Sequence, residues 1–222
     1  MGGLHLLHAP DGFVSFPIAI AMWVVTAIVL AIAVRRTNET LDERAVPLLG
    51  VMAAFIFAAQ MFNFPVGPGM SGHLLGGVLA AVMLGPWAAT LVMASVIAVQ
   101  GLLLQDGGLL IMGANIFNMG VIGTLGGYAL YRVLARVLGG EERGRLPAAG
   151  IAAWAAVVAG AAAMALELGF SGIVPMNIAL PALVGSHALI GIGEALITVA
   201  ALAFIRATRA DLFKLRDAQP AT

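Results

Sequence analysis

Apolar residues in this chain come in long runs broken by short polar or Gly/Pro-rich stretches. The first run, residues 15–34, is about as long as the ~20 residues an α-helix needs to cross a bilayer, and it closes on Arg35 and Arg36. The second, 46–64, carries Gln60 and Asn63 near its end and stops at Pro65, where PVGPGMSG reads as a loop. The third runs from His73 to Leu84 and breaks at Gly85-Pro86. As a helix it would cover roughly 18 Å, short of the ~30 Å hydrocarbon core, so it is expected to be short, tilted or extended backwards. Runs at 87–104, 109–130, 148–168 and 181–205 complete seven expected crossings. Between them lie QDGG at 105–108, the basic loop VLGGEERGR and a loop at 169–180.

Composition agrees with this pattern. Hydrophobic residues make up 61% and charged residues 10% of the chain, against roughly 45–50% and 25% in soluble proteins. The expectation is an all-α, polytopic integral membrane protein forming one membrane domain over 1–222. Its 222 residues contain no Walker motif and no soluble domain. Small-residue stretches such as AAWAAVVAGAAAMA and GVIGTLGGYA suit close helix packing.

The net charge is zero, but the charges are not scattered. All eleven Lys and Arg fall into three groups: Arg35, Arg36 and Arg44; Arg132, Arg136, Arg143 and Arg145; Arg206, Arg209, Lys214 and Arg216. Each group follows an apolar run, and the positive-inside rule then puts the N-terminus outside and the C-terminus in the cytoplasm. Residues 1–14 are read as an extracytoplasmic segment, 15–205 as the transmembrane helices and 206–222 as a cytoplasmic tail. The first 15 residues have no Lys or Arg, so they lack the n-region of a secretory signal and are expected to be retained. In this topology His5, His8, Asp11, His73, Asp106 and Glu167 share the outer face, and His187 enters the seventh helix from it.

The chemistry follows from what is present at that face. There is no cysteine, so a transition metal must be held by nitrogen, oxygen or methionine sulfur, and only four histidines are available. Residues 62–77 carry no charge and one histidine, His73. An unpaired imidazole in hydrocarbon costs on the order of several kcal/mol, which favours a ligand or a backbone-bonded group. One reading pairs His8 with His73 across the outer face; the other leaves His8 exposed and His73 bonded to a carbonyl. A chain with histidine at its second position can chelate through amine, ionised amide and imidazole, leaving one planar position for another imidazole. Four planar nitrogens suit Ni(II), Cu(II) or low-spin Co(II).

His187 and Glu194 lie on one face of the seventh helix, and a mid-span carboxylate needs a partner or a proton. Asn63, Asn115 and Asn118 either knit helices together or support a ligand, and Asp11 and Ser71 stand beside the two histidine segments. A competing reading is enzymatic: GMSG fits the pattern of rhomboid-type intramembrane serine proteases, with Ser71 as nucleophile and His187 as base.

Five segments carry a resemblance: HAPDGFVS, FAAQMFNFPV, SGHLLGGVLAAVMLGPWAA, QDGGLLIMGANIFNMGVIG and HALIGIGEALIT. Together they resemble the CbiM/NikM family, the metal-binding membrane (S) components of energy-coupling-factor transporters for cobalt and nickel. The resemblance implies Co2+ or Ni2+ as the transported ion, with cobalt favoured by the family's association with corrin synthesis. It also implies no ATP bound by this chain, and location in the multi-pass plasma membrane of a prokaryote. The partners it implies are a transmembrane coupling (T) component, two cytoplasmic ATPase subunits and a small accessory membrane subunit, with no nucleic acid. The implied site is a plane formed by the N-terminal amine, the nitrogen and imidazole of His8, and the imidazole of His73.

In the family the first histidine is residue two, whereas MGGLHLL precedes it here. Leu7 stands at the initiator position, and leucine is how a TTG or CTG start codon reads when taken as internal. The mature amine is therefore expected at position 7; proteolytic trimming, or replacement of the amine by the extension with His5, are the alternatives.

Overall fold

The computed structural model describes residues 8–41, 46–67 and 70–213. Leu7, His5 and the tail beyond 213 lie outside the described residues. Two of the helices, α1 (Phe16–Thr40) and α2 (Val46–Gln60), precede a short hairpin of β1 (Phe64–Gly67) and β2 (Met70–Gly72). Then come α3 (Gly77–Leu84) and α4 (Pro86–Leu103). One continuous rod follows, built of α5 (Met112–Asn115), a π-helical stretch Ile116–Gly126 and α6 (Gly127–Val137). A single turn, α7 (Gly140–Arg143), leads into α8 (Arg145–Phe170) and α9 (Met176–Thr208).

The chain is thus an all-α integral membrane protein. α1, α4, α8 and α9 are each long and apolar enough to cross a membrane, and α2 is a shorter apolar helix. The third run is short, as its length led one to expect. α3 has eight residues, about 12 Å of helix, and every one of them is buried among its neighbours. Both of its ends are set by glycine: Gly76 at φ +81° and Gly85 at φ +82° take conformations that other L-residues resist. α3 is therefore an enclosed peg, and residues 73–76 reach it as irregular backbone.

Close approach around the peg depends on missing side chains. A Cβ at Gly77 would meet the Gly123 backbone, and one at Gly127 would meet Val78 and Ala156. Thr90 and Thr124 hydroxyls stand 2.6 Å apart between α4 and the π-helix, each within reach of a carbonyl of its own helix (Pro86 O and Gly120 O), so that one donates to its carbonyl and accepts from the other. α8 and α9 form the most extensive helix pair. Two expectations shift. The second run stops being helical at Gln60, because residues 64–67 and 70–72 pair antiparallel, with Phe64 opposite Gly72 and an irregularity between Pro65 and Gly67. The 169–180 loop shrinks, because α9 begins at Met176 and carries Pro181 inside it.

The ends of the bundle differ in chemistry. At one end the Ser15 amide donates to Ser171 Oγ at 2.9 Å, tying the start of α1 to the end of α8. At the other, the Arg145 guanidinium stacks over the Phe213 ring at 4.4 Å. If the basic end faces the cytoplasm, a cysteine at exposed Gln105 should react with an impermeant thiol reagent in intact cells. A cysteine at Arg143 should react only after permeabilisation. The opposite pattern would overturn the assigned orientation.

Candidate metal centre

The segment after residue 7 is positioned by its own turn and by the loop before α5. Gly12, at φ +92°, lets the chain reverse, and Phe13 N–H closes the turn on Pro10 O. Asp11 then accepts three backbone N–H groups, from Leu109 at 3.2 Å, Leu110 at 2.9 Å and Ile111 at 3.2 Å. These are donors that the start of the α5 rod cannot satisfy internally. Gly108 N–H donates to Ala9 O, and Asn115 Nδ2 donates to the same carbonyl, both at 3.0 Å. A Cβ at Gly107 would strike His8, and one at Gly108 would fall on the Asp11 carboxylate. QDGG is therefore the seat of the N-terminal segment.

His8 is buried in that seat. Its amide donates to Asp106 Oδ1 at 3.3 Å and its Nδ1 lies 3.1 Å from the Asp106 carbonyl oxygen. A carbonyl can only accept, so Nδ1 carries the proton and the lone pair sits on Nε2. That Nε2 is buried and has no hydrogen-bond partner among the described residues. Burial lowers the pKa of His8 below its ordinary value, with the Asp106 carboxylate pulling the other way, so the ring is neutral at pH 7.

The His73 ring stands 6.0 Å from that of His8, edge to face at 82°. Its Nδ1 donates to Leu74 O at 2.9 Å, and His187 Nδ1 donates to Leu183 O at 2.9 Å. In all three imidazoles the lone pair is thus on Nε2, with the tautomer set by a backbone carbonyl, as it is in histidines that bind metals. His8, His73, His187, Asn115 and Asn118 line one cavity of about 480 Å³, whose remaining wall includes Phe13, Met119, Met164 and Leu168. Among the described residues, no three His, Asp or Glu side chains close on a common ion position.

Other residues singled out from the sequence separate into distinct places. Asn118 Nδ2 donates to Glu167 Oε2 at 3.0 Å, a carboxylate buried at the end of α8. Glu194 lies outside the cavity and accepts from the Leu75 and Gly76 amides. Asn63 is exposed beyond the end of α2 and does not line the cavity, because the helix stops short of it. Ser71 belongs to β2, so the protease reading lacks the helix-borne serine it needs. Asp106, Gln60 and Glu167 had carried no site role in the sequence, and their partners lie on distant segments. Gln60 and Glu167 could have been marked by their cost as polar groups in apolar runs, whereas Asp106 lies in the QDGG loop, where an acid is ordinary.

Comparison with known proteins comes down on one side. A protein of Haloquadratum walsbyi named for metal transport is 40% identical over 208 residues, spanning 93% of each chain. A fused nickel transport protein, NikMN, of Rhodobacter capsulatus is 30% identical over 229 residues, 97% of this chain and 66% of that one. The crystal structure of a truncated transition metal transporter superposes with a TM-score of 0.81 at 31% identity, covering 90% of this chain and 98% of the other. With the profile of the cobalt uptake substrate-specific transmembrane region matched over residues 8–212, the chain belongs to the CbiM family.

Proposed function

We propose that this chain is the substrate-binding (S) component of an energy-coupling-factor transporter and captures Co2+ or Ni2+ at the end of the bundle where His8 and His73 meet. Members of the family are multi-pass membrane transport components of prokaryotes and not enzymes, which removes the pairing of Ser71 with His187 as a protease. In this reading a transmembrane coupling protein, two ATPases and a small accessory subunit complete the transporter, and this chain binds no nucleotide. The observation that carries it is the pair of imidazoles, brought within 6.0 Å from segments far apart in the chain, each with its Nδ1 spent on a carbonyl. Borderline divalent ions such as Co2+ and Ni2+ favour imidazole nitrogen over the carbonyls and carboxylates that suit Mg2+ or Ca2+.

Asp11 holds the N-terminal segment to the α5 rod, Asp106 holds His8, and Asn115 holds Ala9; the role of these groups is to keep one imidazole facing the other. Completion of the plane falls to the terminus. An amine on residue 7, the His8 amide nitrogen and His8 Nδ1 would close a five- and a six-membered ring on one ion, and Nε2 cannot close the second. Both His8 nitrogens that such a chelate uses now contact Asp106. Binding in this mode exchanges the Asp106 contacts for metal bonds and sheds protons from the amine and the amide. A chain retaining residues 1–6 is left with Nε2 as its ready donor.

Two outcomes follow. A protein beginning with Met in place of Leu7 should bind one Ni(II) tightly with the absorption of a planar, low-spin ion, while one added residue before that methionine, or His73→Ala, should weaken binding sharply. Equal affinity with and without residues 1–6 would rule out the amine as ligand. The pH dependence separates the modes as well. His8 is already neutral at pH 7, so chelation by amine and amide should make Ni(II) affinity keep rising from about pH 7 to 8 as the amine and amide shed protons. A plateau above about pH 7 would instead indicate imidazole-only binding.

A further inference from the structure

Glu194 sits in the middle of α9 with 2% of its surface exposed, and its hydrogen bonds run to main-chain amides. One carboxylate oxygen accepts the Leu75 amide at 2.6 Å and the other accepts the Gly76 amide at 2.8 Å. These are the second and third residues after His73. From the opposite side, Gln60 at the end of α2 donates through Nε2 to Leu75 O at 2.8 Å. Leu74 between them is buried, and Gly77 abuts the Gly123 backbone. The irregular stretch that carries His73 is therefore gripped by α9, α2 and the π-helix at once.

We propose, resting on the metal-capture reading above, that Glu194 is the positioning residue for His73: it fixes the metal-binding loop to the last transmembrane helix and so sets where the His73 imidazole stands. A carboxylate suits this task because both of its oxygens accept, and two adjacent backbone N–H groups at the start of α3 have no acceptor within their own helix. A glutamine of the same shape accepts on one oxygen only and turns an NH2 toward the second amide. That amide then lacks an acceptor in a buried site, and the loop must shift to find one. Residues that orient a metal ligand from outside the ligand set typically change affinity by about 10- to 100-fold when lost. The same link makes α9 the element through which a movement of the helix would displace a ligand of the ion.

The test is Ni(II) titration of the detergent-solubilised full protein carrying Glu194→Gln, followed by its visible absorption band, with Thr198→Val as a comparison one turn further along α9. Thr198 Oγ1 is buried without a partner among the described residues, so its removal perturbs the same helix and leaves the loop alone. The expected result is a roughly 10- to 100-fold weaker affinity and a shifted metal band in Glu194→Gln, with both unchanged in Thr198→Val. Wild-type affinity and band in Glu194→Gln, or the same loss in Thr198→Val, would overturn the proposal. Should Glu194→Gln fail to fold, Gln60→Met releases Leu75 from the other side and is expected to weaken binding in the same sense; wild-type binding there overturns the proposal too. His73→Ala run alongside separates the two levels: if it binds Ni(II) as wild type does, the metal-capture reading fails, whatever Glu194 does.

Discussion

Backbone amides that leave a helix inside a membrane protein have no water to turn to, and each one left unpaired costs several kcal/mol, on the order of the loss of a major core contact. The part of this chain that matters most for function is where the backbone leaves its helices. Residues 8–15 run as turn, 105–111 as a loop and 73–76 as an irregular approach to α3. Each is held by a polar side chain from elsewhere: exposed Asp11 for the amides of 109–111, buried Glu194 and Gln60 for residues 75 and 76, buried Asn115 for Ala9. The irregular backbone and its polar partners form one interlocked layer, and the histidines are mounted on it.

That layer also decides the chemistry of the imidazoles. Because Asp106 O, Leu74 O and Leu183 O each accept from Nδ1, the basic lone pair of His8, His73 and His187 is placed on Nε2. A histidine satisfied at both nitrogens would be a packing residue. Here Nε2 of His8 is enclosed and without a hydrogen-bond partner among the described residues, and it is the nitrogen left for an ion wherever the terminal chelate, which needs Nδ1, does not form. Coupling to the rest of the fold runs through the carboxylates: Asp106 sits on the loop between α4 and α5, Glu167 on α8 and Glu194 on α9.

Much of this was legible in the chain itself, for identifiable reasons. Apolar runs and grouped arginines carry bulk hydrophobicity and charge, which no tertiary contact is needed to read, so the membrane class and most helices were evident. His8 and His73 stood out because a chain without cysteine leaves four histidines as its nitrogen donors, and the structure brings these two rings to 6.0 Å. The short α3 was half visible: the run before Gly85-Pro86 was plainly too brief to cross, but the left-handed turn at Gly76 that begins the helix four residues after His73 has no signature beyond a second glycine. The hairpin at 64–72 was missed because FPVG and MSG look like loop and pair only through backbone bonds. Asn63 was misplaced because α2 ends at Gln60. Glu194 was conspicuous as a buried acid, yet its partners are main-chain amides, which every residue has and no sequence advertises.

The central claim is that His8 and His73 share one metal ion in a plane of nitrogen donors completed by the terminus. X-ray absorption at the nickel edge of the Ni(II)-loaded protein beginning at position 7 tests it most directly. The account predicts a four-coordinate, all-nitrogen first shell with outer-shell scattering from two imidazole rings, reduced to one in His73→Ala. An octahedral, oxygen-rich shell, or imidazole scattering unchanged by His73→Ala, would contradict it.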